Sequence, residues 1–170
     1  MGEVTSTAAL LEQVTEELYA RHTSDTEAAG AARREYEERR GKVHQDDELW
    51  EPWSAAFVEW YVVERVAPGA TVPFAAVTYR ELAAAGDARA PVVAALVTSQ
   101  RSLYEVRAMG KGAVELLDLL GGAEFVVSEP RAMVGVEVGD VAELRLIGVQ
   151  AEVRFGRTFI YHPKTARAAM

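Results

Sequence analysis

Residues 102–128 read SLYEVRAMGKGAVELLDLLGGAEFVVS, and this stretch decides the fold. Three short β-rich runs, SLYEVRAM, AVELLDLL and AEFVVS, are cut by Gly110-Lys111-Gly112 and Gly121-Gly122. Glycines at such cuts favour tight turns, because they adopt positive φ at little cost. Downstream, DVAELRLIGV, AEVRF and TFIYH continue the pattern, with Gly139-Asp140 and Gly156-Arg157 as further punctuation. Connections this short leave no room for crossover helices, so parallel βαβ topology is disfavoured. The expected module is a small antiparallel β-barrel or meander of five to six strands, since closure removes exposed edges.

Upstream of Ser99 the period is helical. Leu10, Leu11, Val14 and Leu18 fall on one face, with Glu12, Glu16 and Glu17 between them and Thr7 placed to cap. Asp25 or Thr26 caps a second helix through TEAAGAARREYEERR, which Gly41 ends. Its apolar content is alanines and Tyr36, so it reads as a solvated helix held by charges three and four residues apart. The third helix carries the densest apolar signal: Trp50, Trp53, Phe57, Trp60 and Tyr61 place five of the chain's fourteen aromatics within twelve residues. Asp46 and Asp47 are its capping candidates, Glu48 and Glu51 suit the helix dipole, and Pro52 is tolerated in the first turn. PFAAVTYRELAAAGD and APVVAALVTSQ read as two shorter helices. The chain is therefore expected to be α+β: a charged helical extension over 1–45, a helical region over 46–100, a small antiparallel β module over 101–163 and a tail over 164–170.

Trp53, Phe57 and Glu59-Trp60-Tyr61, followed by Leu103-Tyr104-Glu105-Val106, Asp118-Leu119-Leu120-Gly121, Val138-Gly139-Asp140, Leu146-Ile147 and His162-Pro163, resemble a group of uncharacterised bacterial proteins. Some members of that group end in a SEC-C zinc-binding motif. The resemblance covers residues 50–163 and implies helices feeding a small β-barrel, with no defined activity. The zinc motif needs a cysteine cluster, which this chain lacks, so zinc does not carry over.

Composition narrows the function. The 170 residues include no cysteine, which excludes disulfides, thiolate metal sites and a cysteine nucleophile and fits a reducing, cytoplasmic setting. The first eighteen residues, MGEVTSTAALLEQVTEEL, do not read as a signal peptide, and no run is long enough for a membrane helix. Net charge is −8, and its distribution is uneven: residues 1–100 hold 9 Lys+Arg against 17 Asp+Glu, while residues 101–170 hold 9 of each. Nucleic-acid affinity depends on clustered cations, so a nucleic-acid partner is disfavoured.

No constellation rises to catalysis. His44 with Asp46, Asp47, Glu48 and Glu51 has the composition of a hard-cation site, yet capping and dipole complementarity explain an acidic helix start. His22 and His162 read as structural or exposed. Glu35, Glu38, Glu59 and Glu64 lie at spacings that permit acid–base work, with Glu59 and Glu64 bordering the aromatic stripe. There is no Gly-x-Ser-x-Gly elbow. Tyr104, Phe125, Phe155, Phe159 and Tyr161 could form a base-stacking platform, but the neutral charge of this half and its lack of a basic stripe favour core packing. The expected protein is thus no enzyme and takes no cofactor or metal. It is an interaction or assembly component with a protein partner or a second copy of itself, docking through its acidic helical half. Trp50, Trp53, Trp60, Tyr36 and Tyr61 are the interaction candidates, with Trp50 at the exposed end; the alternative is nucleic-acid binding through the β module, and third an enzyme using Glu59 or Glu64.

Overall fold

A computed structural model describes residues 7–130, 133–162 and 164, and its contacts divide the chain into two compact units, 1–98 and 99–170. The expected charged extension over 1–45 thus falls in the same unit as the helices that follow it.

In the first unit, α1 (Thr7–Thr23), α2 (Thr26–Arg40), α3 (Trp50–Glu59), α4 (Phe74–Ala84) and α5 (Ala90–Val97) follow one another. The apolar face of α1 buries Leu11, Val14 and Leu18. Asp25 caps α2 by accepting the Ala28 N–H at 3.0 Å, and Gly41 follows its last turn. The cap of α3 differs from expectation: Leu49 occupies the cap position with no side-chain bond. Asp47 instead accepts the Leu49 N–H at 2.8 Å and tightens the turn before the helix. Beyond Glu59 the helix widens into a π turn, Trp60–Glu64, which closes on an Arg65 N–H to Trp60 carbonyl bond of 2.8 Å.

The second helix is not the solvated element its composition suggested. Ala32 and Tyr36 are buried, and the Tyr36 ring meets Trp53 at 5.0 Å, Trp60 at 5.1 Å and Phe57 at 5.7 Å. Its arginines add cation–π contacts, with the Arg33 guanidinium 4.6 Å from the Trp50 centroid and 5.1 Å from that of Trp53. Glu35 bridges Arg39 within α2 and Arg65 beyond the π turn, at 2.7 and 2.8 Å. Aromatic pairs of this kind are worth about 0.5–1.5 kcal/mol each beyond burial. A helix with few apolar residues is therefore held by one tyrosine and a set of cations.

The second unit has five strands: β1 (Gln100–Gly110), β2 (Ala113–Asp118), β3 (Glu124–Ser128), β4 (Val141–Val149) and β5 (Glu152–His162). They close into a ring in the order β1-β2-β3-β5-β4, with β4 returning to β1. Four pairings are antiparallel; the fifth, β3 with β5, is parallel and rests on one register pair, Val127 with Val153. It needs no crossover helix, because β4 lies between those strands in sequence. The strand count is five because AEVRF and TFIYH are one strand. Leu144 pairs with Phe159 and Leu146 with Phe155, so Gly156-Arg157 is absorbed in a bulge and makes no turn. The turn that exists, Gln150-Ala151, has positive φ at both residues, 48° and 64°, the backbone of a type I′ hairpin without its usual glycine.

Tyr104, Val106, Val114, Leu116, Val127, Ala142, Leu144 and Leu146 fill the ring, with Phe125, Phe155 and Phe159 against them. Alternation puts Val141, Glu143, Arg145, Ile147 and Val149 on the opposite face of β4, and these too are buried. The equivalent outward positions of β2 and β3, Glu115, Glu124 and Val126, are exposed.

Candidate functional site

The sequence-predicted aromatic set divides by depth. Tyr36, Trp53 and Tyr61 are buried, so they belong to the core of the helical unit and offer no surface. Trp60 is half-buried, with Arg39 and Arg65 guanidinium groups each 5.9 Å from its ring. Trp50 is also half-buried, stacked on Trp53 at 6.4 Å and 16° on one side of the stripe. Immediately before it, Leu49 is 46% exposed. Asp46, Asp47, Glu48 and Glu51 surround these two in sequence, all exposed.

These four differ from the ion-paired carboxylates of the same unit, among them Glu17 with Arg89 at 2.9 Å, Glu81 with Arg21 at 2.8 Å, Asp87 with Arg89 at 2.7 Å and Glu35 with Arg39 and Arg65. Hydrogen bonds from the Arg89 side chain and backbone bring the Asp87 carboxyl down to about 2. Among the described residues Asp46, Asp47, Glu48 and Glu51 have no ion pair. Four exposed carboxylates within six residues make a local negative patch, which attracts cations. The buried indole N–H of Trp53 has no acceptor among the described residues.

The candidate acids do not converge. Glu59 is buried and Glu64 exposed. Among the described residues no group of three His, Cys, Asp or Glu is placed to hold a metal ion, His44 and its acidic neighbours included. His22 is half-buried, with Nε2 2.9 Å from the Thr78 hydroxyl and its ring stacked on Phe74 at 4.6 Å. Burial, and then the adjacent Arg21, push its pKa below the ordinary value. His162 is half-buried, and Pro163 lies outside the described residues.

One polar cluster escaped sequence reasoning altogether. Asp118, at the end of β2, is 1% exposed and accepts from Ser102 Oγ at 2.5 Å, Gln100 Nε2 at 3.0 Å and the Leu120 N–H at 3.0 Å. Burial alone would raise its pKa, but these bonds and one from the Gly121 N–H outweigh it and hold the carboxyl below its usual range. Tyr104, adjacent across the ladder, is pushed up to about 12 by burial and then by Asp118. The cluster is a serine–carboxylate pair without a base to relay protons, and its donors are spent on one turn. Its chemistry is structural: it fixes the β2–β3 connection, where the Asp118 N–H meets the Ala123 carbonyl and the Gly122 N–H the Asp118 carbonyl, both at 2.8 Å.

The supposed base-stacking platform dissolves in the same way. Tyr104, Phe125, Phe155 and Phe159 face the ring interior, and only Tyr161 is exposed.

Comparison with protein families, curated proteins and solved structures finds no match. Among the described residues no helix is long and apolar enough to cross a membrane.

Proposed function

We propose that this chain is a non-enzymatic interaction component, and that it docks a protein partner through the start of α3. The observation that carries the reading is Leu49, 46% exposed beside half-buried Trp50, at the N-terminal end of an aromatic stripe whose Trp53, Phe57 and Tyr61 are buried. An aliphatic and an aromatic side chain set in a polar rim is the composition of an interface centre, where a few such anchors supply most of the binding energy. The acidic balance of the helical unit supports the same reading. It leaves the β unit as a scaffold whose polar clusters serve its own turns.

The strand order of the β unit supports a second reading. A five-stranded Greek-key ring is the architecture of the oligonucleotide- and oligosaccharide-binding (OB) fold, which binds on the face of its second and third strands. That face here offers Glu115, Glu124 and Val126, with no aromatic ring and no cation among the outward positions of those strands. Carboxylates repel phosphates, and strand order alone carries no activity. The docking reading is preferred on that ground.

The test is capture from the native cell extract by the wild-type protein and by Leu49→Ser. A deletion of residues 1–45 would unroof Trp53 and cannot serve. The expected result is a defined partner that Leu49→Ser loses while its helical circular-dichroism signal is retained. Equal capture by both proteins would refute the proposal.

A further inference from the structure

The kind of partner follows from what the α3 start already holds. Resting on the docking reading above, we infer that this surface takes a cationic segment of another protein, one that sets an aliphatic side chain against Leu49 and places lysine or arginine beside Trp50 and among the carboxylates. Two observations converge. Asp46, Asp47, Glu48 and Glu51 are exposed and lack ion pairs among the described residues. The Trp50 ring already receives a guanidinium, that of Arg33, at 4.6 Å, so its face is a working cation seat. Arg33 stays in place there, since its guanidinium also lies 5.1 Å from the Trp53 ring and 5.6 Å from that of Phe57, and 3.3 Å from the Ser54 hydroxyl. An incoming cation joins the patch beside it.

Other occupants fit less well. A second copy meeting this surface with its own equivalent would set the same four carboxylates against each other, in a chain whose net charge is −8. Nucleic acid and anionic lipid carry the wrong sign. A cationic segment is attracted at long range and gains contact with Leu49 and Trp50 at short range.

The experiment uses the full-length protein and a fluorescent synthetic amphipathic Leu/Lys peptide, read by anisotropy at low and physiological salt. Wild type binds, and binding weakens as salt rises. The variant Asp46→Asn/Asp47→Asn/Glu48→Gln/Glu51→Gln is expected to bind roughly tenfold more weakly or worse, the loss that removing several attractive charges at one site produces. Leu49→Ser also weakens binding. A matched control, Glu12→Gln/Glu16→Gln/Glu115→Gln/Glu124→Gln, changes the net charge equally through other exposed acids and stays within about twofold of wild type. Equal weakening by both quadruple variants would mean attraction to net charge alone and would overturn the inference, as would no binding at low salt. If extract capture is lost in Leu49→Ser but survives the neutralised α3 variant, the docking reading stands and the cationic partner falls. If capture survives both variants, the docking reading itself falls.

Discussion

Replacing Gly121 by alanine should destabilise the β unit through one neighbour, Asp118. A Cβ at Gly121 would stand 2.6 Å from Asp118 Oδ2 and 3.3 Å from its Cγ. Gly121, unlike Gly122 at φ +73°, has no positive φ, so the objection to a side chain is steric and specific. Restoring ordinary contact requires the carboxylate to retreat by about 0.8 Å, yet Ser102, Gln100 and the Leu120 N–H hold it at 2.5 to 3.0 Å. Losing one or two hydrogen bonds to a charged acceptor costs about 2–4 kcal/mol. With Asp118→Ala as background the clash is gone, and Gly121→Ala becomes neutral or stabilising by about 0.5 kcal/mol through the unfolded chain. The expected coupling in a double-mutant cycle is about 2–4 kcal/mol. Gly122→Ala should instead cost about 1 kcal/mol in both backgrounds, because its penalty is a backbone one. All three tryptophans lie before Ser99, so tryptophan fluorescence reports the wrong unit; amide exchange of Val114 to Leu117 measures the right one. Equal cost of Gly121→Ala with and without Asp118 would refute the argument.

Other outcomes follow from the same contacts. Asp118 has a lowered pKa when folded, so its stabilisation is complete above the ordinary carboxylate range and is lost as pH falls through the folded value; Asp118→Asn should flatten the acid loss of β2 amide protection. His22 is also lowered when folded, so its contribution is present above about pH 6.5 and fades below it. His22→Gln should remove that slope from helical unfolding followed by tryptophan fluorescence, and an unchanged slope would count against the burial argument. At the β4–β5 turn, Ala151→Gly relieves a positive φ of 64° and should stabilise by about 0.5–1 kcal/mol in amide exchange, the left-handed penalty less the entropy of glycine. Tyr36→Ala should cost about 3–5 kcal/mol and shift tryptophan emission, since the ring packs on Trp53 and Trp60; unaltered emission would show that α2 is not docked as described.

The β unit was legible because alternation and glycine turns are local signals, and its six expected runs differ from five strands at one point. Gly156-Arg157 has the composition of a turn, and only the pairing of Leu144 with Phe159 and Leu146 with Phe155 shows a bulge. The true turn, Gln150-Ala151, carried no turn residue to see. For α2, apolar periodicity missed the attachment because part of it is cation–π, from Arg33 to Trp50 and Trp53 and from Arg39 to Trp60. Asp118 was invisible as a node because Ser102 and Gln100 lie sixteen and eighteen residues away and meet it only through strand register. The interaction candidates were partly legible: periodicity found the aromatic stripe, whereas depth separated exposed Leu49 and half-buried Trp50 from Tyr36, Trp53 and Tyr61. Leu49 itself was not singled out, since a lone leucine beside a tryptophan reads as core.

The proposed docking surface lies at the start of α3 and not on the exposed flank of β2 and β3. Photo-crosslinking in cells, with a benzophenone amino acid at position 49 or at position 126, addresses it directly, because Leu49 and Val126 are both exposed aliphatic positions. A discrete crosslinked partner from position 49 and none from position 126 is the predicted result. Crosslinking from position 126 alone would contradict the account.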